Sequence, residues 1–242
     1  DRLAARESET VEITARDGSA LVGHWIPQEE PLRVIIAMHG WRSSWSREFG
    51  LISDFWAKSG CSVLYAEQRG QHASGGAYIG LGLLERHDCL DWANWVVNRC
   101  GDGPIYLFGV SMGAATVLMA AGEELPPQVH GIVADCGFTS PEAIFRHISD
   151  HNLRLPYNLF KGMVDRKFSG KIQARPDDYS TLEALEATEL PVLLIHGTED
   201  KFVPVEMTYA NYNAGSSPKT LFLVPGAGHA ESYYTDPTGY EA

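Results

Sequence analysis

Apolar runs of strand length recur along the chain and alternate with segments of helical periodicity. Six of them have the length and composition of strands buried on both faces of a sheet. They span residues 32–39, 62–67, 105–110, 129–135, 192–196 and 220–224. Two earlier segments, Thr10–Ala15 and Ala20–Ile26, are joined by Asp17-Gly18, a strong hairpin signal. The pattern predicts a mostly parallel sheet with an antiparallel start.

Helical segments lie between these strands. Residues 47–58 and 83–99 carry apolar side chains at helical spacing, and residues 112–123 are small and apolar all round, which is typical of a helix packed inside a fold. The alternation predicts an α/β protein with a doubly wound sheet, forming one domain over residues 1–242. Ligands of such sheets bind beyond the carboxyl ends of the strands.

One long connection breaks the alternation. More than fifty residues separate the strand ending near Asp135 from the strand starting near Val192. Part of this length is the crossover that parallel strands require, and the remainder is typical of a lid or binding element. We expect a short helical cap insertion at about residues 141–176.

A nucleophile motif follows the predicted strand 105–110. Gly109-Val110-Ser111-Met112-Gly113 fits the Gly-x-Ser-x-Gly pattern, in which serine occupies a tight strand-to-helix turn and glycines avoid backbone collisions. A strand precedes the motif and a helical segment follows it, as the turn requires. We predict Ser111 as the nucleophile and the backbone N–H of Met112 as an oxyanion donor.

The loops after two later strands supply an acid and a base. One contains Glu199 and Asp200, and the other ends in His229. We predict that His229 accepts the Ser111 proton and that one of the two carboxylates orients its ring. A second oxyanion donor is expected from the backbone N–H of Trp41, after the strand that ends in His39-Gly40.

The four motifs together carry a family resemblance. HGW at 39–41, GVSMG at 109–113, HGTED at 196–200 and GAGH at 226–229 resemble the α/β-hydrolase superfamily over essentially the whole chain. Further stretches, such as ADCGFTS and VPGAGHAESYYTDP, are similar to a bacterial branch of esterases and serine hydrolases. The resemblance implies an α/β-hydrolase fold, hydrolysis of carboxylic esters without a cofactor, and Asp200 rather than Glu199 as the acid. It also implies a structural role for Arg69, bonded to backbone or to a carboxylate.

The expected substrate is a small-molecule ester. Arg42, Phe145, Phe202 and Tyr233 are candidate substrate contacts, and Tyr157, Phe160 and Phe168 are expected to add aromatic surface above Ser111. Such a pocket favours esters of small acyl or aromatic acids over long chains, because each buried methylene helps by only about 0.8 kcal/mol until the wall is reached. A peptidase or thioesterase using the same triad is the alternative enzyme, and a non-catalytic binding protein on the same fold is the alternative of another class.

Other site types have less support in the sequence. His147 and His151 stand four residues apart, as in some zinc sites, but the sequence offers no evident third ligand, so we expect no metal. The glycines from Gly75 to Gly82 lack nucleotide-binding spacing.

The composition of the chain bears on its binding partners and on its cellular compartment. A net charge of −12 opposes binding to nucleic acid. No apolar stretch has the length of a membrane span, and the four cysteines without a CxxC pair favour a reducing, cytoplasmic setting. The chain begins at Asp1 rather than Met, so a removed signal or anchor stays open, as does the oligomeric state.

Overall fold

Eight strands form one sheet in the computed structural model, which describes residues 2–242. Asp1, on which the expectation of a removed leader rests, lies outside the described residues. The strands are β1 (Glu9–Thr14), β2 (Ala20–Ile26), β3 (Arg33–Met38), β4 (Cys61–Ala66), β5 (Ile105–Val110), β6 (Val129–Asp135), β7 (Val192–Gly197) and β8 (Lys219–Val224). Their order across the sheet is β1-β2-β4-β3-β5-β6-β7-β8. The pairs β1–β2 and β2–β4 are antiparallel and the others are parallel, which confirms the predicted α/β-hydrolase architecture.

Ten α-helices connect or follow the strands within the described residues. They are α1 (Trp45–Phe49), α2 (Ser53–Lys58), α3 (Glu85–Cys100), α4 (Met112–Ala120), α5 (Pro141–His147), α6 (Lys161–Ile172), α7 (Thr181–Ala187), α8 (Val205–Asn213), α9 (Ser232–Thr235) and α10 (Pro237–Glu241). A π-helical turn at Ile148–Asn152 and a 3₁₀ turn at Tyr157–Leu159 lie between α5 and α6. The segment expected to be a cap therefore consists of two helices joined by irregular turns.

The sheet is covered on both faces because successive side chains of its central strands point in opposite directions. Ile36 of β3 packs in an apolar cluster with residues of α3 and α4, whereas Ile35 packs in a second cluster with residues of α1 and α2. Every residue of α4 is buried, as its all-round apolar sequence predicted. This packing holds α4 firmly against the end of β5, where the nucleophile motif lies.

The prediction of a single helix over residues 47–58 is wrong, because the chain forms α1 and α2 there instead. The hydroxyl of Ser44 accepts the Arg47 N–H and starts α1 earlier than predicted. Gly50 has low helix propensity, and the Ser53 hydroxyl donates a 3.0 Å hydrogen bond to its carbonyl at the break.

The structure also shows the predicted hairpin, the state of the four cysteines and the character of the helices. The Asp17-Gly18 hairpin forms as predicted, with Gly18 at φ 84°. Cys61, Cys89, Cys100 and Cys136 are all free. Among residues 2–242, none of the helices combines the length and the apolar character needed to cross a bilayer.

Candidate active site

Ser111 occupies a strained turn between β5 and α4. Its backbone has φ 55° and ψ −116°, a conformation that non-glycine residues rarely adopt. The strain is held by neighbours on both sides, since the Ser111 N–H donates to the Asp135 carbonyl at 2.8 Å and Ala115 bonds back to the Ser111 carbonyl. A Cβ at Gly113 would collide with the Met38 carbonyl, so the motif's second glycine allows α4 to approach β3.

His229 and Asp200 meet Ser111 from the loops that follow β8 and β7. The Ser111 Oγ lies 2.8 Å from His229 Nε2, and His229 Nδ1 lies 2.7 Å from Asp200 Oδ2. The two loops pack closely at Gly197, where a Cβ would strike the backbone of Ala227. The structure therefore brings the three predicted residues into one chain of hydrogen bonds, whereas Glu199 is exposed. Such a chain can remove a proton from the serine hydroxyl.

The carboxylate of Asp200 is completely buried and fully hydrogen-bonded. Its Oδ1 accepts the N–H groups of Phe202 at 2.8 Å and Val203 at 2.9 Å, while Oδ2 faces His229. Burial alone would raise the pKa of Asp200, but hydrogen bonds from the rings of His196 and His229 and from Val203 hold it well below its usual value. Asp200 is therefore ionised at neutral pH and stabilises positive charge on the His229 ring.

The loop after β3 passes beside Ser111. A Cβ at Gly40 would lie 3.3 Å from the Ser111 Cβ, a tight contact that would force a neighbour to shift, so a glycine suits this close approach of the backbone. His39 anchors this loop: its Nδ1–H donates to the Gly40 carbonyl at 2.8 Å, and its Nε2 accepts the Gln68 N–H at 3.1 Å. Burial lowers the pKa of His39 to about 4, so its ring is neutral. Trp41 follows Gly40, and Met112 is the first residue of α4, where N–H groups have no partner within the helix.

A cavity of about 280 Å³ opens over Ser111. Apart from the serine, its walls are made of apolar and aromatic side chains from the loop after β3, the Gly-rich loop before α3, the start of α4, the loop after β6, the cap and the loop after β7. The lining residues are Trp41, Ile79, Leu81, Ser111, Met112, Phe138, Ile144, Phe145, Ile148, Phe168 and Phe202. The cavity can hold a small apolar group against the serine hydroxyl.

The predicted substrate contacts divide into two groups. Phe145 and Phe202 line the cavity, and the Phe202 ring lies 5.0 Å from the His229 ring. Arg42 is not part of the lining: its guanidinium sits 4.6 Å over the Trp41 ring. Tyr233 lies elsewhere, packed 5.3 Å from Tyr240, with its hydroxyl donating to Glu241, because the chain after His229 turns away from the cavity.

Of the other three cap aromatics, only Phe168 reaches the cavity. Tyr157 is buried beneath the Arg146 guanidinium at 4.8 Å, and Phe160 is exposed. Sequence reasoning missed Ile79 and Leu81, which the structure places in the cavity wall. The sequence signal for them is the presence of two large apolar residues within the glycine stretch 75–82.

The two histidines of the cap, which stand four residues apart, lie side by side. The rings of His147 and His151 stack with centroids 4.8 Å apart. Across residues 2–242, the one group of three metal-ligating side chains with atoms within 4.8 Å of one another is Cys136, Asp200 and His229. Two of these residues already bond to each other beside Ser111, and the third is a buried thiol whose pKa burial raises well above its usual value.

Comparison with known proteins identifies the same architecture. The family model described as alpha/beta hydrolase fold matches residues 33–183. YfhR, an uncharacterized protein of Escherichia coli O157:H7, is 28% identical over 233 residues, which cover 93% of this chain and 75% of YfhR. YqkD, an uncharacterized protein of Bacillus subtilis, is 30% identical over 177 residues, which cover 72% of this chain and 57% of YqkD. Among solved structures, one of the Pyrococcus furiosus esterase Pf2001 aligns with a TM-score of 0.76 at 25% identity and covers 97% of this chain and 88% of that one.

Proposed function

This chain belongs to the α/β-hydrolase fold family, and we propose that it is a serine hydrolase that cleaves carboxylic esters through an acyl-enzyme intermediate. The observation that carries the proposal is the hydrogen-bond chain from Ser111 through His229 to the buried Asp200 carboxylate, at 2.8 and 2.7 Å. The structural likeness to the esterase Pf2001 supports the reaction class.

In the acylation step, His229 Nε2 takes the Ser111 proton as Oγ attacks the ester carbonyl. The ionised Asp200 stabilises the imidazolium that forms and holds the ring with Nε2 towards the serine. The backbone N–H groups of Met112 and Trp41 are the proposed donors to the oxyanion. The intermediate then collapses, the C–O bond to the alcohol breaks, and His229 returns the proton to the leaving oxygen.

Deacylation repeats these roles with water. His229 removes a proton from the water as its oxygen attacks the acyl-enzyme carbonyl, and it then protonates Ser111 Oγ as the acid leaves. Each proton moves between His229 Nε2 and the oxygen atom of Ser111, of the leaving alcohol or of water. The cycle therefore uses the residues of this chain and water, and we propose no cofactor and no metal for it.

The shape of the cavity supports esters of small acyl or small aromatic acids. Its volume of about 280 Å³ lies at the low end of ligand pockets, and Phe145, Phe168 and Phe202 close it with flat aromatic walls. Its lining carries no ionisable side chain besides the serine hydroxyl, which favours an uncharged acyl group. A peptide or thioester substrate would meet the same nucleophile, so these remain the alternative substrates.

The proposal is tested by labelling and by turnover. A fluorophosphonate should modify wild-type protein at Ser111 and leave Ser111→Ala unlabelled. The same substitution should lower kcat for p-nitrophenyl acetate by about a millionfold without unfolding the chain, because the nucleophile is lost. Retention of more than about a tenth of the activity would contradict the assignment. Thioester and anilide substrates measured alongside would show which acyl bond is preferred, and an absence of both labelling and turnover would favour a binding protein.

A further inference from the structure

The outer surface of the cap carries an unusual group of exposed apolar side chains. Leu159 is 77% exposed, Leu153 62% and Met163 53%, although such residues are usually buried. All of them, together with Leu155 and Phe160, fall within eleven consecutive residues. We call these five residues the cap patch.

Basic side chains surround the cap patch. On α6, Met163 shares its exposed face with Arg166 and Lys167, which follow it by three and four residues. Arg154 lies between Leu153 and Leu155, and Lys171 continues the exposed face of α6 with its ammonium 4.3 Å over the Tyr78 ring. We call these four basic residues, Arg154, Arg166, Lys167 and Lys171, the cationic rim.

The positive charge of the rim is not neutralised by the protein. None of the ion pairs within residues 2–242 includes a residue of the rim, whereas neighbouring Lys161 is paired with Glu142 at 2.6 Å. Residues 153–171 contain five Lys or Arg and one acidic residue, in a chain whose net charge is −12. The cap is therefore a local positive surface on an acidic protein.

We propose that the cap patch and its cationic rim form a docking surface for an anionic lipid bilayer. Leucine, phenylalanine and methionine side chains of this kind enter the boundary between headgroups and acyl chains, while Lys and Arg bind the anionic headgroups around them. The four cations of the rim also attract an anionic surface at a distance, which the apolar side chains alone would not do. The inference does not depend on the proposed ester hydrolysis.

Charge argues against a second copy of the chain as the occupant. A symmetric dimer through the cap patch would bring two cationic rims against each other, and like charges facing across an interface oppose association. Nucleic acid would match the rim but would leave the exposed leucines without an apolar partner. An anionic bilayer offers acyl chains to the cap patch and anionic headgroups to the cationic rim.

Helix α6, which carries part of the cap patch and of the cationic rim, also forms part of the candidate active site. Its outer face carries Met163, Arg166 and Lys167, and its inner face carries Phe168, which lines the Ser111 cavity. The Phe168 ring lies 5.8 Å from that of Phe145 on α5. A docked bilayer would therefore lie one helix thickness away from the cavity.

Vesicle co-sedimentation tests the proposal with the whole chain. The probes are phosphatidylcholine vesicles and phosphatidylcholine vesicles containing about one third phosphatidylglycerol. The chain should sediment with the anionic vesicles at low salt, bind weakly to the neutral ones, and be released by high salt. The double variant Arg166→Gln, Lys167→Gln should lower the partition coefficient about 25-fold, since each cation contributes about fivefold. Leu159→Ser should lower it about tenfold.

Matched controls separate the cap from general effects. Arg33→Gln with Lys58→Gln removes the same charge from exposed positions at the start of β3 and the end of α2, away from the cap. Leu51→Ser removes a leucine that is 63% exposed on the loop between α1 and α2. Neither control should change the partition coefficient by more than about twofold. Ser111→Ala should bind as wild type does, which shows that docking is separate from turnover.

Three results would overturn the proposal. The first is an absence of binding to anionic vesicles at low salt, and the second is an equal loss of binding in the control and rim variants. The third is a dimer, seen by sedimentation velocity, that Leu159→Ser dissociates, since it would assign the cap patch to a second copy.

Discussion

Replacing Asp200 by asparagine tests the candidate site at the point where its geometry is most constrained. Asp200 Oδ1 accepts two backbone N–H groups, from Phe202 and Val203, at 2.8 and 2.9 Å. Its Oδ2 lies 2.7 Å from His229 Nδ1. The backbone donors therefore decide which way an amide would lie in this position.

An asparagine would keep its oxygen on the two N–H donors and turn its NH₂ towards His229. The opposite orientation would set NH₂ against those donors and cost about 1–3 kcal/mol for each group left without a partner. Facing an NH₂ group, His229 Nδ1 must act as acceptor, so the ring proton moves to Nε2. A ring protonated there cannot take the Ser111 proton. The same substitution in another Ser-His-Asp triad lowers kcat about ten-thousandfold, which corresponds to about 5.5 kcal/mol of activation free energy.

The assay is kcat for p-nitrophenyl acetate, with thermal unfolding measured on the same samples to show that the variant is folded. Glu199→Gln is the matched control, since it removes the same charge one residue earlier from an exposed side chain. We expect Glu199→Gln to retain activity within about twofold, in line with other exposed charge changes. A loss below about tenfold in Asp200→Asn, or a larger loss in Glu199→Gln, would refute the assignment of the acid.

Two further predictions concern the cavity and the loop beside it. Across p-nitrophenyl esters, kcat/KM should peak between acetate and butyrate and fall at about ten carbons, because the cavity has a volume of about 280 Å³. Phe168→Ala should move the maximum to longer acyl chains. A wild-type maximum at the long end would contradict this interpretation of the cavity. Lowering the pH should destabilise the fold through His39, because burial lowers its pKa to about 4 and the unfolded chain accepts the proton below about 6.5. The contribution of neutral His39 to stability is complete above pH 6.5 and disappears towards pH 4. In urea titrations, the free energy of unfolding of wild type relative to His39→Gln should therefore fall by about 2–3 kcal/mol between pH 7 and 4.5. A difference that stays constant with pH would contradict the prediction.

The parts of the protein that sequence predicted well depend on local backbone chemistry. The strand, the tight turn and the helix around Ser111 are encoded within a few residues, and the loops that carry the acid and the histidine meet at one edge because parallel strands end there. The order of the acid and the histidine along the chain came from the family resemblance. The structure accordingly brings Ser111, Asp200 and His229 together. The burial of α4 was equally predictable, because a helix with small apolar residues on all sides must be packed inside the fold. The proximity of Ser111, Asp200 and His229 was therefore predictable from the sequence.

Side-chain directions after a turn were not predictable in the same way. Arg42 and Tyr233 stand close in sequence to Trp41 and His229, yet one stacks on a tryptophan and the other packs on Tyr240. Sequence neighbours of a site residue share its loop but not its direction, since a single left-handed residue reorients the chain. Such residues occur at both places, with Arg42 at φ 56° and Ala230 at φ 58°.

The cavity wall formed by Ile79 and Leu81 depends on partners distant from the nucleophile in sequence. Glu85 is completely buried and accepts the N–H groups of Gly80 and Gly82 at 2.7 and 2.8 Å, so one carboxylate fixes the loop that carries both apolar residues. Three residues further along α3, Asp88 binds the Arg69 guanidinium at 2.5 and 2.6 Å, as the structural role expected of Arg69 requires. This part of the cavity wall therefore rests on the buried Glu85 carboxylate, which takes no part in the proposed chemistry. A glycine-rich segment without phosphate-binding spacing is better interpreted through the acidic residues that follow it, because buried N–H groups must find acceptors.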